Sequence, residues 1–305
     1  MKIFLTGSAG CLAAALLPVL CNDPAIESIT GIDIKTTAYQ HPKLKTSIFD
    51  MRDVSLRDTM KNHDAVIHLG FNVRRGNLSS EERYDINVNG SINVIDAANA
   101  NKITKFINLS SVSVYGICEN VTEEAKTNPL PTFPYAQHKE AVEQYINEHL
   151  PSAIQFRSHL IMGKNAQDFL REMFVMPVYL TFAEGKTPKQ QVVHENDVVC
   201  AIEAALKADV SGAFNLAAND IIDLGGTYIK KGIEEGRRIR KFPFSVVRMA
   251  AFFGRKMNAH DLATWIEMLD TTATVNCDKA KTQLNWTPAY SIWDARKDAM
   301  STLKT

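Results

Sequence analysis

The feature that most constrains this chain is a series of short apolar runs of strand length separated by stretches of helical periodicity. The runs KIFLT (2 to 6), SITGIDI (28 to 34), AVIHLGF (65 to 71), KFINLSS (105 to 111) and SAIQFRS (152 to 158) each read as a strand. Between them lie amphipathic segments such as NVNGSINVIDAANAN (87 to 101), whose apolar positions recur at helical spacing. Strands that are apolar on both faces and separated by helices need a helical layer above and below them, which predicts a doubly wound α/β fold around a parallel sheet. With 305 residues, 45% of them hydrophobic, the chain can bury such a core.

After residue 160 the alternation weakens. A strand is expected at GAFNLAA (212 to 218), returning to the main sheet, and a basic stretch RRIRKFPF runs from 237 to 244. The reading is a cofactor domain over residues 1–160 and a smaller, mainly substrate-binding lobe over 161–305. Lysine plus arginine and aspartate plus glutamate balance at 34 each, so no net field draws the chain to nucleic acid or to a membrane surface. The five cysteines are scattered and never spaced as CxxC, which argues against a disulfide framework and a zinc site and points to a reducing cytoplasm. MKIFLTGSAGCLAAALLPVLC could pass for a lipoprotein leader, but TGSAG interrupts its apolar run and bulky Leu20 stands where a processing enzyme wants a small residue.

LTGSAGCLA (5 to 13) falls where the first strand ends and a helix begins. Gly7 and Gly10 let backbone amides approach a pyrophosphate, and the helix start adds free N–H donors and the positive end of its dipole. Asp33 ends the second strand at the distance expected for a carboxylate that accepts hydrogen bonds from an adenosine ribose. Its charge would repel a 2′-phosphate, which favours NAD over NADP, with Lys35 close by as the opposing influence.

In FPYAQHKEAVEQ (133 to 144), Tyr135 and Lys139 are one helical turn apart and share a face. Such a pair is either a solvated neighbour contact or a proton-transfer device in which the ammonium lowers the phenol from its ordinary value near 10. Ser111, at the end of NLSSVSVYG (108 to 116), is either a capping serine or a hydroxyl that stabilises charge on a substrate oxygen.

Taken in order, TGSAGCLA, Asp33, FDMRD (49 to 53), HLGF (68 to 71), NVNGSINV (87 to 94), LSSVSVYG (109 to 116) and YAQHK (135 to 139) resemble the extended short-chain dehydrogenase/reductase superfamily, in its NAD-dependent epimerase/dehydratase branch. QVVHENDVV (191 to 199) and NCDKAKTQLNWTPAYS (276 to 291) are similar to that branch's substrate lobe and closing segment. The resemblance implies a Rossmann-type fold and an enzyme that moves hydride at a secondary alcohol carbon of a nucleotide sugar such as a UDP-sugar. It implies Tyr135 as acid/base, Lys139 as the cation that lowers its pKa and contacts the nicotinamide ribose, Ser111 as the group that orients the reacting oxygen, and Asn87 as a further active-site residue. The implied cofactor contacts are Gly7, Gly10, Cys11, Leu12, Asp33, Asp50, Met51, Leu69, Gly70, Tyr135 and Lys139, with no metal. The family often pairs through a bundle that includes the Tyr135 helix, so a homodimer is an expectation.

The chain departs from the family pattern in two places. Where nucleotide-sugar enzymes place an arginine-aspartate pair before the histidine of the VH..D stretch, this chain has Gln190 and Gln191, and Lys186 and Lys189 nearby cannot reproduce a guanidinium fork. Arg237, Arg238 and Arg240 are alternative phosphate contacts or a solvated basic face. In place of HLAA stand Gly70 and Phe71, followed by Arg74 and Arg75 at the pocket mouth. These departures keep two other readings open: an alcohol dehydrogenase of hydroxysteroid or lipid type, and a non-catalytic NAD-sensing protein. His68 and His194 read as buried structural histidines, while His159 could face the nicotinamide.

Overall fold

A computed structural model describes residues 1–73, 76–168, 170–171, 180–181, 188–223, 226–234, 242–243, 245–246, 249, 252–253 and 271–302. Arg74, Arg75, Lys186, Arg237, Arg238 and Arg240 lie outside the described residues.

Seven parallel strands form the main sheet: β1 (Lys2–Thr6), β2 (Ser28–Asp33), β3 (Leu44–Ile48), β4 (Ala65–His68), β5 (Lys105–Ser111), β6 (Ile154–Ser158) and β7 (Gly212–Leu216). Their spatial order is β7-β6-β5-β4-β1-β2-β3. The chain winds outward from β1 in one direction, then returns to β4 on its other side and winds the opposite way. The carboxyl ends of β1 and β4 therefore flank the switch-point crevice where ligands of open α/β sheets bind.

Alternation along β1 divides the core. Ile3 and Leu5 face one cluster, which includes Leu16, Leu17 and Leu20 of α1 (Cys11–Asn22), whereas Phe4 faces a second cluster with Val94 and Ile95 of α2 (Gly90–Ala100) and Val142 and Ile146 of α3 (Pro134–His149). The first cluster also takes Val198, Ala201 and Ile202 of α4 (Glu195–Lys207). Strand β3 carries no apolar run and its residues are largely exposed. It forms because β2 offers it a full register, from Ile29 against Leu44 to Asp33 against Ile48. An edge strand needs backbone pairing and no buried face, so hydrophobic patterning does not announce it.

A smaller mixed sheet joins Ile222–Asp223, Lys189–Gln190, Ala273–Val275 and Cys118–Val121. Lys189–Gln190 runs antiparallel to Ile222–Asp223, and the remaining pairs are parallel. A third cluster, with Met162, Val192, Ala218, Ile292 and Ala295, packs beside it. No helix among the described residues is long and apolar enough to cross a membrane.

Candidate active site

The turn after β1 is built from glycine for a measurable reason. Gly7 has φ of +74°, and a Cβ there would stand 2.7 Å from the Gly70 amide nitrogen and 2.8 Å from the Leu69 carbonyl carbon. The turn is closed by Gly7 and Ser8 amides donating to the Ile32 carbonyl at 2.9 and 3.1 Å, and by the Gly10 amide donating to Gly7 at 3.0 Å. Gly10 caps α1 without any side-chain hydrogen bond, so the first amides of that helix, beginning at Cys11, have no side-chain cap. Leu12 is buried beneath the turn and Cys11 is exposed. Gly7→Ala should cost about 1–3 kcal/mol through the left-handed backbone and the clash. The check is a lower urea midpoint with an unchanged slope.

The end of β2 is equally organised. The Asp33 carboxylate accepts from the Ala9 amide and from the Lys35 amide, each at 3.0 Å, which fixes it beside the glycine turn. Beyond β3, Asp50 is held by Arg52, which also reaches Asp85 at 2.8 Å, while Met51 is buried against Gly90. Gly7, Gly10, Cys11, Leu12, Asp33, Leu69 and Gly70 thus gather at the switch point, with Asp50 and Met51 off the end of the neighbouring edge strand. Leu69 and Gly70 are locked to β1, their amides donating to the Thr6 carbonyl at 3.2 Å and the Thr6 hydroxyl at 3.0 Å.

A buried chain of hydrogen bonds runs from this turn to Asn87. Thr6 Oγ1 is 2.7 Å from His68 Nδ1, His68 Nε2 is 2.9 Å from Ser91 Oγ, and Ser91 donates to the Asn87 carbonyl at 2.5 Å. Burial, with Lys139 nearby, pushes His68 down to about 3, so it serves as a neutral brace. Asn87 lies in a wide π-type turn, Asp85–Asn89, that leads into α2. Its amide grips the Asn72 backbone from both sides, accepting at 2.7 Å and donating at 3.0 Å. That grip positions the loop carrying Phe71.

The carboxyl end of β5 meets α3. The Ser111 hydroxyl bears on Tyr135 and lowers it, and Ser113 donates to Ser111 Oγ from its hydroxyl at 2.9 Å. Tyr135 is half-buried between Phe71, edge-on at 5.5 Å, and Phe133 at 5.4 Å. Desolvation pushes its hydroxyl up to about 12, opposed by the Ser111 hydroxyl and by the charge of Arg83. Lys139 is buried, donates to the Leu109 carbonyl at 2.5 Å and sits 3.6 Å over the Phe71 ring, against 5.9 Å from the ring of Tyr135. Burial brings its ammonium down to about 7, with Glu143 opposing that shift. The charge of Arg83, a residue that sequence reasoning did not single out, also lowers Tyr135.

The model of the NAD dependent epimerase/dehydratase family matches residues 3–217. The chain belongs to this family. Among its relatives, an uncharacterised protein of Sinorhizobium fredii is 25% identical over 94% of this chain and 74% of its own length. A UDP-glucose 4-epimerase of Rhizobium leguminosarum bv. trifolii is 24% identical over 82% of this chain and 81% of its own. Similar solved folds include the UDP-glucuronic acid 4-epimerase of Bacillus cereus in complex with NAD, with a TM-score of 0.76, 18% identity and coverage of 99% of this chain and 96% of that one. The UDP-glucose 4-epimerase of Thermotoga maritima with UDP-glucose gives a TM-score of 0.77 at 17% identity, covering 99% and 98%.

Within this family's frame, the two glutamines are spent on backbone. Gln191 is buried, donates to the Ala218 carbonyl at 2.9 Å and accepts from the Val275 amide at 2.8 Å, while Gln190 donates to the Thr271 carbonyl at 2.6 Å. Lys189 pairs with Glu119. His159 has both ring nitrogens on main chain, Nε2 with Ala273 at 3.0 Å and Nδ1 with the Leu160 amide at 2.8 Å, and burial pushes it down to about 4. His194 is buried, caps α4 by accepting from the Asn196 amide at 3.1 Å and stacks on Tyr290 at 3.9 Å.

Proposed function

We propose that the chain is an NAD-dependent enzyme that moves hydride at a secondary alcohol carbon, with a nucleotide sugar as substrate. The observation that carries this reading is the placement of Tyr135 and Lys139 at the carboxyl end of β5, with Phe71 of the loop after β4 edge-on to Tyr135 at 5.5 Å and Lys139 donating to the Leu109 carbonyl, on the same sheet edge as the glycine turn of β1. The cradle fits the cofactor: Gly7 leaves no room for a Cβ, the first α1 amides are uncapped, and Asp33 is fixed where an adenosine ribose would present its hydroxyls. The main-chain amides of Cys11 and Leu12, with Asp33, Asp50, Met51, Leu69 and Gly70, would hold the dinucleotide, and residues 161–305 would close over the substrate.

Bound NAD would supply the hydride acceptor. Tyr135 would take the hydroxyl proton as the carbinol carbon becomes a carbonyl, and Ser111 would hold that oxygen and stabilise its developing charge. Lys139 would keep a positive charge beside the phenol, and Asn87 would hold the Asn72 loop at the pocket mouth. Return of hydride to the opposite face of that carbon, with the proton coming back from Tyr135, would give an epimer, and release of the ketone without that return would make the net reaction a dehydrogenation.

A second reading, dehydrogenation of a phosphate-free alcohol, is favoured by Gln190 and Gln191, both committed to backbone contacts. Melting curves separate the two. NAD at about a hundredfold excess over its Kd should add about 2.7 kcal/mol of stability, and UDP should raise the melting temperature further if the substrate is a nucleotide sugar. Conversion of UDP-glucose or UDP-glucuronic acid with NAD is the direct assay. Stabilisation by NAD without any by UDP would move the reading to a phosphate-free substrate, and no response to NAD would defeat both.

A further inference from the structure

Helix α3 touches three consecutive residues of β5 with three residues spaced one turn apart. Tyr135 is lowered by the neighbouring Ser111 hydroxyl, Lys139 donates to the Leu109 carbonyl at 2.5 Å, and Glu143 accepts from the Ser110 hydroxyl. The first two contacts involve the proton-transfer residues proposed above. The third belongs to a group that this chemistry does not use.

Glu143 is 2% exposed and forms a bidentate pair with Arg157 of β6, whose Nε lies 3.1 Å from both carboxylate oxygens and whose terminal nitrogen donates at 2.7 Å. Arg157 is itself anchored, donating to the Tyr115 hydroxyl at 2.7 Å and the Glu123 carbonyl at 3.1 Å, while Tyr115 donates to Asn215 of β7 at 2.9 Å. A buried carboxylate is costly unless it is paired and hydrogen-bonded, and here every contact it makes points back to the end of β5 or to the strand beside it.

We propose that Glu143, clamped by Arg157 and Ser110, is a positioning residue that sets the register of α3 on β5 and supplies the counter-charge that favours the protonated form of Lys139. This rests on the reading of Lys139 as the cation beside Tyr135. The other groups around Lys139 carry little charge between pH 6 and 9. His68 from β4 is pushed down to about 3 and His138 on α3 to about 4, both by burial, and Tyr135 is held up at about 12. Arg83, from the short helix Ser80–Tyr84, acts on Tyr135 and His138. Glu123 packs behind Arg157, its carboxylate accepting from the Asn215 amide at 2.7 Å. Glu143 is therefore the anion that opposes the loss of the proton from a buried amine that stands at about 7 with that charge in place.

The test follows Lys139 by the 13Cε shift of lysine-labelled, cofactor-free protein, with Lys139→Met assigning the resonance. Glu143→Gln should lower the Lys139 midpoint by about one unit or more, and Arg157→Gln, which leaves the carboxylate without its nearer cation, should raise it. Ser110→Ala removes the hydroxyl contact without changing charge and should leave the midpoint in place. Should Glu143→Gln fail to fold, Glu143→Gln/Arg157→Gln replaces the pair together and should still lower the midpoint. Opposite shifts for the two single variants support the proposal, as does the lowered midpoint of the double variant. An unmoved midpoint in Glu143→Gln or in the double variant, or shifts of one sign in both single variants, overturns it. The readout needs no substrate, so a lack of turnover on UDP-sugars would defeat the functional reading and leave this measurement standing.

Discussion

Tyr135→Phe is expected to lower kcat by about a thousandfold while leaving the fold intact, because the substitution removes one oxygen and nothing else that packs. The ring is fixed by Phe71 at 5.5 Å and Phe133 at 5.4 Å, contacts that phenylalanine keeps. What disappears is the hydroxyl on which Ser111 acts, with its exchangeable proton. That hydroxyl is desolvated and pushed up to about 12, so the cofactor-free site is set to donate a proton and not to accept one. Any positive charge that arrives near the phenol lowers it, and oxidation of an alcohol should therefore speed up as pH rises through the neutral range. Stability of the variant should stay within about 1 kcal/mol of the parent, since a buried hydroxyl loses one hydrogen bond and one desolvation cost together. The paired measurement is turnover of UDP-glucose or UDP-glucuronic acid with NAD, and a urea melt. Unchanged turnover would remove Tyr135 from the proposed chemistry. Ser111→Ala, which takes away a donor and leaves the tyrosine, should cost less, on the order of tenfold to a hundredfold.

The contrast between strands explains what can be read without coordinates. KIFLT and KFINLSS match β1 and β5 residue for residue, since both strands are central and buried on two faces, leaving a continuous apolar signature. Leu44–Ile48 has no such signature because an exposed edge is stabilised by pairing alone. The same distinction applies in the candidate site. Tyr135, Lys139 and Glu143 share one helix face, so their spacing is visible in FPYAQHKEAVEQ, yet only Arg157, on another strand, shows that Glu143 is a clamped anion. Gln191 reads as a missing aspartate until its contacts with Ala218 and Val275, 27 and 84 residues away, show it bracing three segments together. Long-range pairing leaves no local pattern, and Arg83, which acts on Tyr135 from the helix Ser80–Tyr84, escapes sequence reasoning for that reason.

Lys139→Met should stabilise the cofactor-free protein at pH 7 by roughly 2–4 kcal/mol while cutting kcat by about a hundredfold or more. Lys139 is 3% exposed, and burial lowers its ammonium from the ordinary 10.5 to about 7. Between those values the unfolded chain holds a proton that the folded chain has released. Stability of the parent therefore rises with pH across that window, by at most about 1.4 kcal/mol per unit, and is lowest where the amine is charged in both states. Tyr135 has the opposite sign: its folded value of about 12 lies above the ordinary 10, so the stability it contributes is present below pH 10 and is lost as pH climbs toward 12. Methionine keeps the length of the lysine stem, retains apolar contact with the Phe71 ring and carries no charge to desolvate. The gap between variant and parent in urea unfolding should be widest at pH 7 and should narrow steadily as pH rises to 9. A gap that stays constant with pH would mean that Lys139 is not titrating in the folded state. A protein that gains stability on losing this amine holds the charge for a purpose other than folding, which is the thermodynamic signature expected of a residue retained for chemistry.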